Sequence, residues 1–520
     1  MKKILIGVAL MMTVIMVLLV VAVSAVEAPR MKMTTEIPKS ITTPDRVETR
    51  IGSLEFFDGF PTEDTAQKCF DNLDFLRGVE TFLNGCPAAS LIAMREGMRK
   101  LGAIDGTIAI TETLMDSKSL FLTPNTESIY TGTWLDLKDG PIVVESPPNT
   151  LGIVNDFWFR YVADLGNAGP DKGKGGKYLF VGPGYEGDIP EGYFVSRSQT
   201  YGNFLIWRGF LVEGDPKPGI ENFKKHARIY PLSRVNDPPE QKWVNMSGKA
   251  FNTIHANDFS FYEELNQVVQ EEPTESQDPE ILGLFASIGI KKGQPFTPDA
   301  RMKKILTEAA AVGNATVRSL TFPGRDKTAY QYNSGYWKTA FIGGSHEFLA
   351  DGVRLLDARA FFYYYATMVT PAMTVKIPGA GSQYSMATVD SKATRSMAQK
   401  TTNSTIHRMS QPRISGQWWS TTTRLVRCSR PISNTRVWSA SEGFRLIWTG
   451  PTISTSARKY LKERKATGFR LYLKKDSVSF YAFTDRFRPG STRPGGPEIL
   501  NCSSEFLRPA GLLTVRHLPL

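Results

Sequence analysis

The sequence predicts an α+β protein: a β-rich, jelly-roll- or sandwich-like N-terminal domain with helical segments, followed by a C-terminal quarter that is disordered or non-native. Three observations predict it. From Thr107 to Val212, short β-type runs are broken repeatedly by Gly and Pro. On either side of that stretch, apolar residues recur at helical spacing. From Ala393 to Leu520 neither period persists.

The chain opens with Lys2 and Lys3, an apolar run from Ile4 to Val23, and the small residues Val23-Ser24-Ala25. Residues 1–25 therefore read as a signal peptide, cleaved after Ala25, or as an uncleaved anchor, because the run is long enough to span a bilayer. The expected location is the periplasm or the medium, with the membrane engaged only through this segment if it is retained. Residues 26–54, Pro/Thr-rich from Pro29 to Arg50, read as a linker. Next, Phe70, Leu73, Leu76 and Val79, then Leu91, Met94 and Met98, are spaced as on helices. Asn84-Gly85 and Pro87 interrupt them, so two helices are expected between Thr65 and Leu101.

Strands are expected at Ile129–Leu137, Ile142–Glu145, Phe157–Val162, Tyr178–Val181, Tyr193–Ser196 and Phe204–Val212, within a domain spanning 55–240. Their short, regular spacing favours a sandwich or jelly roll over a parallel sheet. Helices return at Phe259–Gln270, Asp299–Leu320 and His346–Met368, in a connecting region spanning 241–375. The run Phe361 to Tyr365 reads as helix packed on a core. No short internal repeat is present.

At 520 residues, 41% hydrophobic and 22% charged, the chain has globular composition and room for two or three domains. Its charge of +11 would suggest nucleic acid or an anionic membrane. The distribution argues otherwise. Residues 393–520 hold 22 of the 62 Lys and Arg but only 6 of the 51 Asp and Glu, leaving 40 and 45 in residues 1–392, a net of −5. The basic tail lacks the interleaved aromatics of a nucleic-acid surface, so nucleic acid is not an expected partner. Cys69 and Cys86 are open to two readings, a disulfide in an oxidising compartment or two free thiols.

Gly182-Pro183-Gly184-Tyr185-Glu186-Gly187 formally matches GxGxxG, but Pro190 and a β-type run follow where dinucleotide binding needs a helix. It reads as a tight turn. Lys172 to Lys177 lacks the GK[ST] ending of a phosphate loop and reads as a solvated loop. His226, His255 and His346 show no HxH or HExxH spacing. His255 and Asp258 supply at most two ligands, so neither a metal nor a cofactor is expected. Gly343-Gly344-Ser345-His346 is not a nucleophile elbow. What remains is a set of polar and aromatic groups on strands. Asn125, Glu127, Tyr130, Trp134, Asp156 and Arg208 suit a pocket for a small polar ligand, although core packing and interstrand pairing use the same residue types.

Thr123-Pro124-Asn125 with Tyr130, Trp134 to Leu137, Gly182-Pro183-Gly184, Trp207-Arg208 and Tyr230-Pro231-Leu232-Ser233 resemble the domain-of-unknown-function family 1254. Gly379 to Tyr384, ending at Asp390, is similar to the lead-in of its usual partner, family 1214, so residues 376–392 would begin that second domain. Coverage is about residues 55 to 392. The resemblance implies two β-rich, jelly-roll-like domains with helical segments and no established reaction.

The partner domain's later motifs are missing from the written frame. They return when each codon's third base is joined to the next codon's first two. Trp418-Trp419, encoded only by TGG, forces valine, and Trp419 with Ser420 written TCN allows a second. Lys392 to Ser433 then permits G-N-x-x-D-G-x-K-N-Y-K-L-H, P-P-N-V-P-A-K-D-F-W-A-V-V-V-Y-D and N-Q-T-R-S-M-L-Q-T-D-Q. Tyr481 to Phe487 permits R-L-Y-G-P-L, and Thr492 to Glu498 permits T-W-R-P-G. One lost base near Lys392 accounts for all of these, so residues 393–520 read as a frameshifted tail. The functional expectation is an exported protein that binds a small polar ligand. The alternatives are a hydrolase or lyase acting on a carbohydrate or small polar substrate, and a nonfunctional frameshift product. The oligomeric state is not set by the sequence.

Overall fold

The computed structural model describes residues 35–374, except 105, 116–117, 124–127 and 332–335, together with Met12, residues 383–387 and five short strands downstream. The chain divides into two compact units, residues 1–72 and 73–520.

In the first unit, β1 (Arg46–Thr49), β2 (Gly52–Phe57) and β3 (Phe60–Pro61) form an antiparallel meander. Asp58 and Gly59, both at positive φ, make its second turn. These strands occupy part of the stretch that the sequence assigns to a linker. Helix α1 (Glu63–Arg99) begins in this unit, where Thr65 Oγ1 accepts the N–H of Glu55 at 2.8 Å.

The second unit continues α1 and adds β4 (Ile108–Ile110), β5 (Ser119–Leu120), β6 (Ile129–Asp136), β7 (Ile142–Ser146), β8 (Thr150–Asp156) and β9 (Tyr161–Gly166). After β10 (Gly176–Val181), β11 (Phe194–Arg197) and β12 (Gly202–Gly209) come α2 (Lys217–His226), β13 (Arg228–Pro231), β14 (Trp243–Asn245) and β15 (Phe251–Asn252). The helices α3 (Ser260–Glu271), α4 (Pro279–Ser287) and α5 (Ala300–Thr321) follow. A hairpin of β16 (Leu349–Ala350) and β17 (Val353–Arg354), α6 (Leu356–Tyr363) and β18 (Gln383–Ala387) complete this part.

Two open sheets carry ten of these strands, in the orders β14-β4-β6-β12-β8-β9 and β11-β10-β7-β13, and β5 pairs separately with β15. The α+β class is observed, and the β part is a sandwich whose sheets do not close into a barrel. Side chains alternate across a strand, so each face of the six-stranded sheet has its own partner. Ile110, Leu135, Val154, Leu205 and Trp207 pack against Val144, Phe180 and Ile229 of the four-stranded sheet. Ala109, Tyr130, Phe204 and Ile206 face the helices, sharing a core with Met94, Met98, Phe261, Leu265 and Phe361.

Three expectations are corrected. The break at Asn84 to Pro87 does not occur, and α1 runs through it. Pro87 removes one helical hydrogen bond at a cost of about 3 kcal/mol. Burying Phe82, Leu91, Ile92 and Met94 contributes roughly 2 kcal/mol each and outweighs that. Gly85 is there for close approach, since a Cβ would lie 2.8 Å from Leu265. The single helix expected at His346–Met368 is instead a hairpin and the short α6. Asp351-Gly352, at positive φ, turns the chain between β16 and β17. Finally, Phe157 to Arg160 is a turn, not the start of a strand, with Phe159 at φ 64°. Phe361 to Tyr365 are buried in the core, as expected of that run.

The Gly182–Gly187 segment leads to β11, which lies parallel to β10 with no helix between them. Cys69 and Cys86 are both free. Lys338, buried, donates from Nζ to the carbonyls of Thr321 and Phe322 at 2.8 and 2.6 Å, closing the end of α5. Downstream, Ile406–Arg408, Arg436–Ala440, Phe444–Trp448, Phe480–Thr484 and Glu498–Leu500 are strands paired in two-stranded sheets, one with β18. Otherwise the frameshifted-tail reading lies outside the described residues. Among the described residues no helix is long and apolar enough to cross a membrane.

Candidate functional site

Sheet register decides which of the sequence-selected residues meet. β6 and β12 pair Tyr130 with Arg208 and Trp134 with Phe204, all on the helix-covered face. Arg208, half-buried, donates from Nε and Nη2 to Ser128 Oγ at 3.3 and 2.9 Å. Tyr130, 7% exposed, donates its backbone N–H to Thr111 Oγ1 at 2.8 Å, and its ring centroid lies 6.5 Å from that of Phe121. Tyr130, Arg208, Ser128, Thr111 and Phe121 thus form a corner where β4, β6 and β12 meet the segment after β5. Thr123, at φ 46°, lies in the left-handed region. Asn125 and Glu127 lie outside the described residues.

Trp134 does not join this corner. Gly132 stands between it and Tyr130 on the same face, and Met98 of α1 fills the gap, 2.9 Å from where a Cβ would sit. Trp134 packs on Phe157 and Phe204, with centroids at 4.9 and 5.8 Å. The Arg95 guanidinium lies 5.7 Å from the Trp134 ring and 4.9 Å from that of Phe157, and forks onto Glu271 at 2.5 and 2.7 Å. Burial works against the Glu271 charge, yet the Arg95 fork holds it below the ordinary carboxyl range. This cluster bolts α1 and α3 to the sheet.

Asp156 anchors the turn that follows β8. Its carboxylate accepts the backbone N–H groups of Trp158 and Arg160, both at 2.9 Å, and Arg160 Nε at 2.7 Å. Those bonds hold a turn in which Phe157, Trp158 and Phe159 are all buried. Burial pushes Asp156 up and Arg160 opposes it.

Other buried or half-buried carboxylates, not singled out in the sequence, also accept hydrogen bonds from other segments of the chain. Glu272, 2% exposed, accepts the N–H groups of Tyr201 and Gly202 at 2.6 and 2.8 Å, and burial pushes it up to about 7. Glu264 accepts the Ala256 N–H at 3.0 Å and is pushed by burial to about 8. Asp164 receives Thr370 Oγ1 at 2.7 and 2.8 Å. The only advance signal for Glu272 is its place beside Pro273 at the end of α3.

His255 is buried among the rings of Phe82, Phe261 and Tyr364, with Nδ1 2.8 Å from the Ala256 carbonyl. That bond places the proton on Nδ1, and burial lowers the imidazole's pKa. Asp258 instead accepts the Ser260 N–H at 2.9 Å. Among the described residues, no group of three or more His, Cys, Asp and Glu is placed to hold a metal ion.

Residues 106–231 match the family model described as protein of unknown function, DUF1254. The match covers the sandwich from just before β4 to the end of β13 and includes Tyr130, Trp134, Asp156 and Arg208. No curated protein matches the chain. Among solved structures, the chain is similar to the VPA0106 protein from Vibrio parahaemolyticus, at 16% identity and a TM-score of 0.49, covering 82% of this chain and 99% of that one.

Proposed function

We propose that the chain is an exported protein whose β sandwich binds a small polar ligand at the Tyr130–Arg208 corner. Its second, family-1214-like domain has been lost to a frameshift near Lys392. The observation that carries the binding reading is the half-buried Arg208 guanidinium, held by Ser128 beside Tyr130 at the end of the central strand pair. A planar cation in a partly desolvated corner favours a carboxylate or polyhydroxyl ligand. Support over the hydrolase or lyase reading comes from Asp156, since carboxylate-driven hydrolysis needs two carboxyl groups facing one cleft and Asp156 is committed to its turn.

The test is a thermal-shift and calorimetric survey of simple sugars and small carboxylic acids, run on the parent and on Arg208→Ala. The expected result is binding by the parent and at least tenfold weaker binding by a variant that unfolds at nearly the same temperature. Equal loss of binding and folding would make Arg208 a structural residue and overturn the assignment. The frameshift is tested separately by reading the gene across the codons for Asp390 to Ala393. An intact frame there, with residues 393–520 folded as a compact β unit, refutes it; absence of folded full-length protein from the producing cell would instead favour a nonfunctional product.

A further inference from the structure

The hairpin of β16 and β17 hands the chain to α6 with two arginines that have no carboxylate partner. Arg359, half-buried on α6, donates from Nη2 to Asn84 Oδ1 of α1, and Asn84 in turn donates to the Glu80 carbonyl at 2.8 Å. Arg354, exposed at the end of β17, donates from Nη1 to the Glu347 carbonyl. Among the described residues, neither guanidinium forms an ion pair or a further hydrogen bond. Arg95, Arg160 and Arg301, by contrast, each lie within 2.7 Å of a carboxylate oxygen. The acidic residue of α6 itself, Asp357, is taken by Arg325 at 2.6 Å, and Glu80 acts on Arg359 only at longer range.

The local fold brings the two arginines to one place. Tyr363 follows Arg359 by one turn on the same face of α6. Its ring centroid lies 5.7 Å from that of Phe348, the neighbour of the Glu347 carbonyl that holds Arg354. The Leu355 N–H, next along from Arg354, donates to the Phe348 carbonyl at 2.8 Å. Both guanidiniums therefore flank the Phe348–Tyr363 pair. Burial lowers the Arg359 pKa, and the neighbouring Arg354 charge lowers it further. A half-buried cation with one neutral acceptor, set beside a like charge, is costly unless an anion offsets both.

We propose that Arg354 and Arg359 form a binding site for the phosphate group of a phosphate monoester, where β17, α6 and α1 meet. Each guanidinium carries several N–H donors and uses one of them within the protein. A carboxylate satisfies a single guanidinium fork. A phosphate group presents three acceptor oxygens and roughly 1.5 to 2 negative charges at neutral pH, enough to take donors from both arginines. None of these residues belongs to the Tyr130–Arg208 corner, so the assignment is independent of the ligand read there.

Calorimetric titration of the full chain at neutral pH and constant ionic strength tests this. The probes are glycerol 3-phosphate, acetate, and phosphatidylcholine vesicles with and without phosphatidic acid. The expected result is saturable phosphate binding about tenfold or more tighter than acetate binding. Arg359→Gln and Arg354→Gln should each weaken it about tenfold, and Arg208→Ala should leave it unchanged. Because Arg354 is exposed, its variant decides the matter even where Arg359→Gln fails to fold. Binding of glycerol 3-phosphate identifies a soluble phosphate ester as the occupant, whereas Arg354-dependent binding confined to phosphatidic acid vesicles identifies a lipid headgroup. No binding of either phosphate probe, binding that Arg354→Gln retains, or acetate bound as tightly as the phosphate would overturn the proposal.

Discussion

Arg95 shows how a charge can be structural when its surroundings supply everything it needs. It is 5% exposed, set against the rings of Trp134 and Phe157 and forked onto Glu271. Replacing it with Ala removes the clamp and leaves two aromatic rings against a void, so a loss of about 3 kcal/mol is expected. Glu271→Gln should cost less, roughly 1 kcal/mol, because that carboxylate is 37% exposed and water screens it. Urea unfolding of the two variants checks the order, and equal costs would contradict the packing argument. Nothing in the sequence distinguishes Arg95 from a surface helix residue, since its environment is assembled from β6, the turn after β8, and α3. Tyr130, Trp134 and Arg208 were legible as polar and aromatic groups on strands. Their division into a corner and a separate cluster depends on Met98 entering over Gly132, a long-range contact that no local pattern encodes.

Helices and strands answer to the same distinction between local signal and packing. The periodicity that predicts Phe259–Gln270 and Asp299–Leu320 is reproduced within one residue at each end by α3 and α5, and Asp299 caps α5 by accepting the Met302 N–H at 2.7 Å. Of the misread elements, α1 is the one in which glycine and proline have a packing role that their letters do not disclose. Gly97 is the sharpest case. A Cβ there would sit 2.0 Å from the Asn252 carbonyl oxygen, so α1 meets the backbone of β15 directly. Gly97→Ala forces that contact apart and should destabilise by about 2 kcal/mol. Gly283 in α4 is the opposite, with nothing within 4 Å of its Cβ position and no positive φ. Gly283→Ala should stabilise by about 0.5–1 kcal/mol through the unfolded chain's lost freedom. Thermal melts of the two variants should move in opposite directions.

At the scale of the molecule, the sandwich was legible because its strands are short, evenly spaced and punctuated. The helical layer was only partly so, because its buried polar groups answer to partners far away in sequence. Those groups also set the pH response. Glu264 and Glu272 are held by backbone N–H groups, but burial dominates, raising them to about 8 and about 7 from an ordinary value near 4.5. Each binds its proton more tightly in the folded chain than in the unfolded one. Their contribution is therefore fully present below about pH 4 and is lost as pH rises through about 7 and then about 8. Glu271 has the opposite sign, since its pKa is lowered in the folded chain, but its loss falls below the ordinary carboxyl range and outside this window. Burial lowers the pKa of His255, and that of Lys338 to about 8, so these two oppose the decline, His255 as pH rises toward 6.5 and Lys338 only above about pH 8, where the loss from Glu272 is already complete. The urea midpoint, followed by tryptophan fluorescence, should accordingly decline from pH 5 to pH 9. Glu264→Gln should flatten the upper part of that decline, because an amide carbonyl can still accept the Ala256 N–H without titrating. A midpoint that rises over this range would mean that these carboxyls are hydrated or paired with cations in solution, and that their burial does not govern stability.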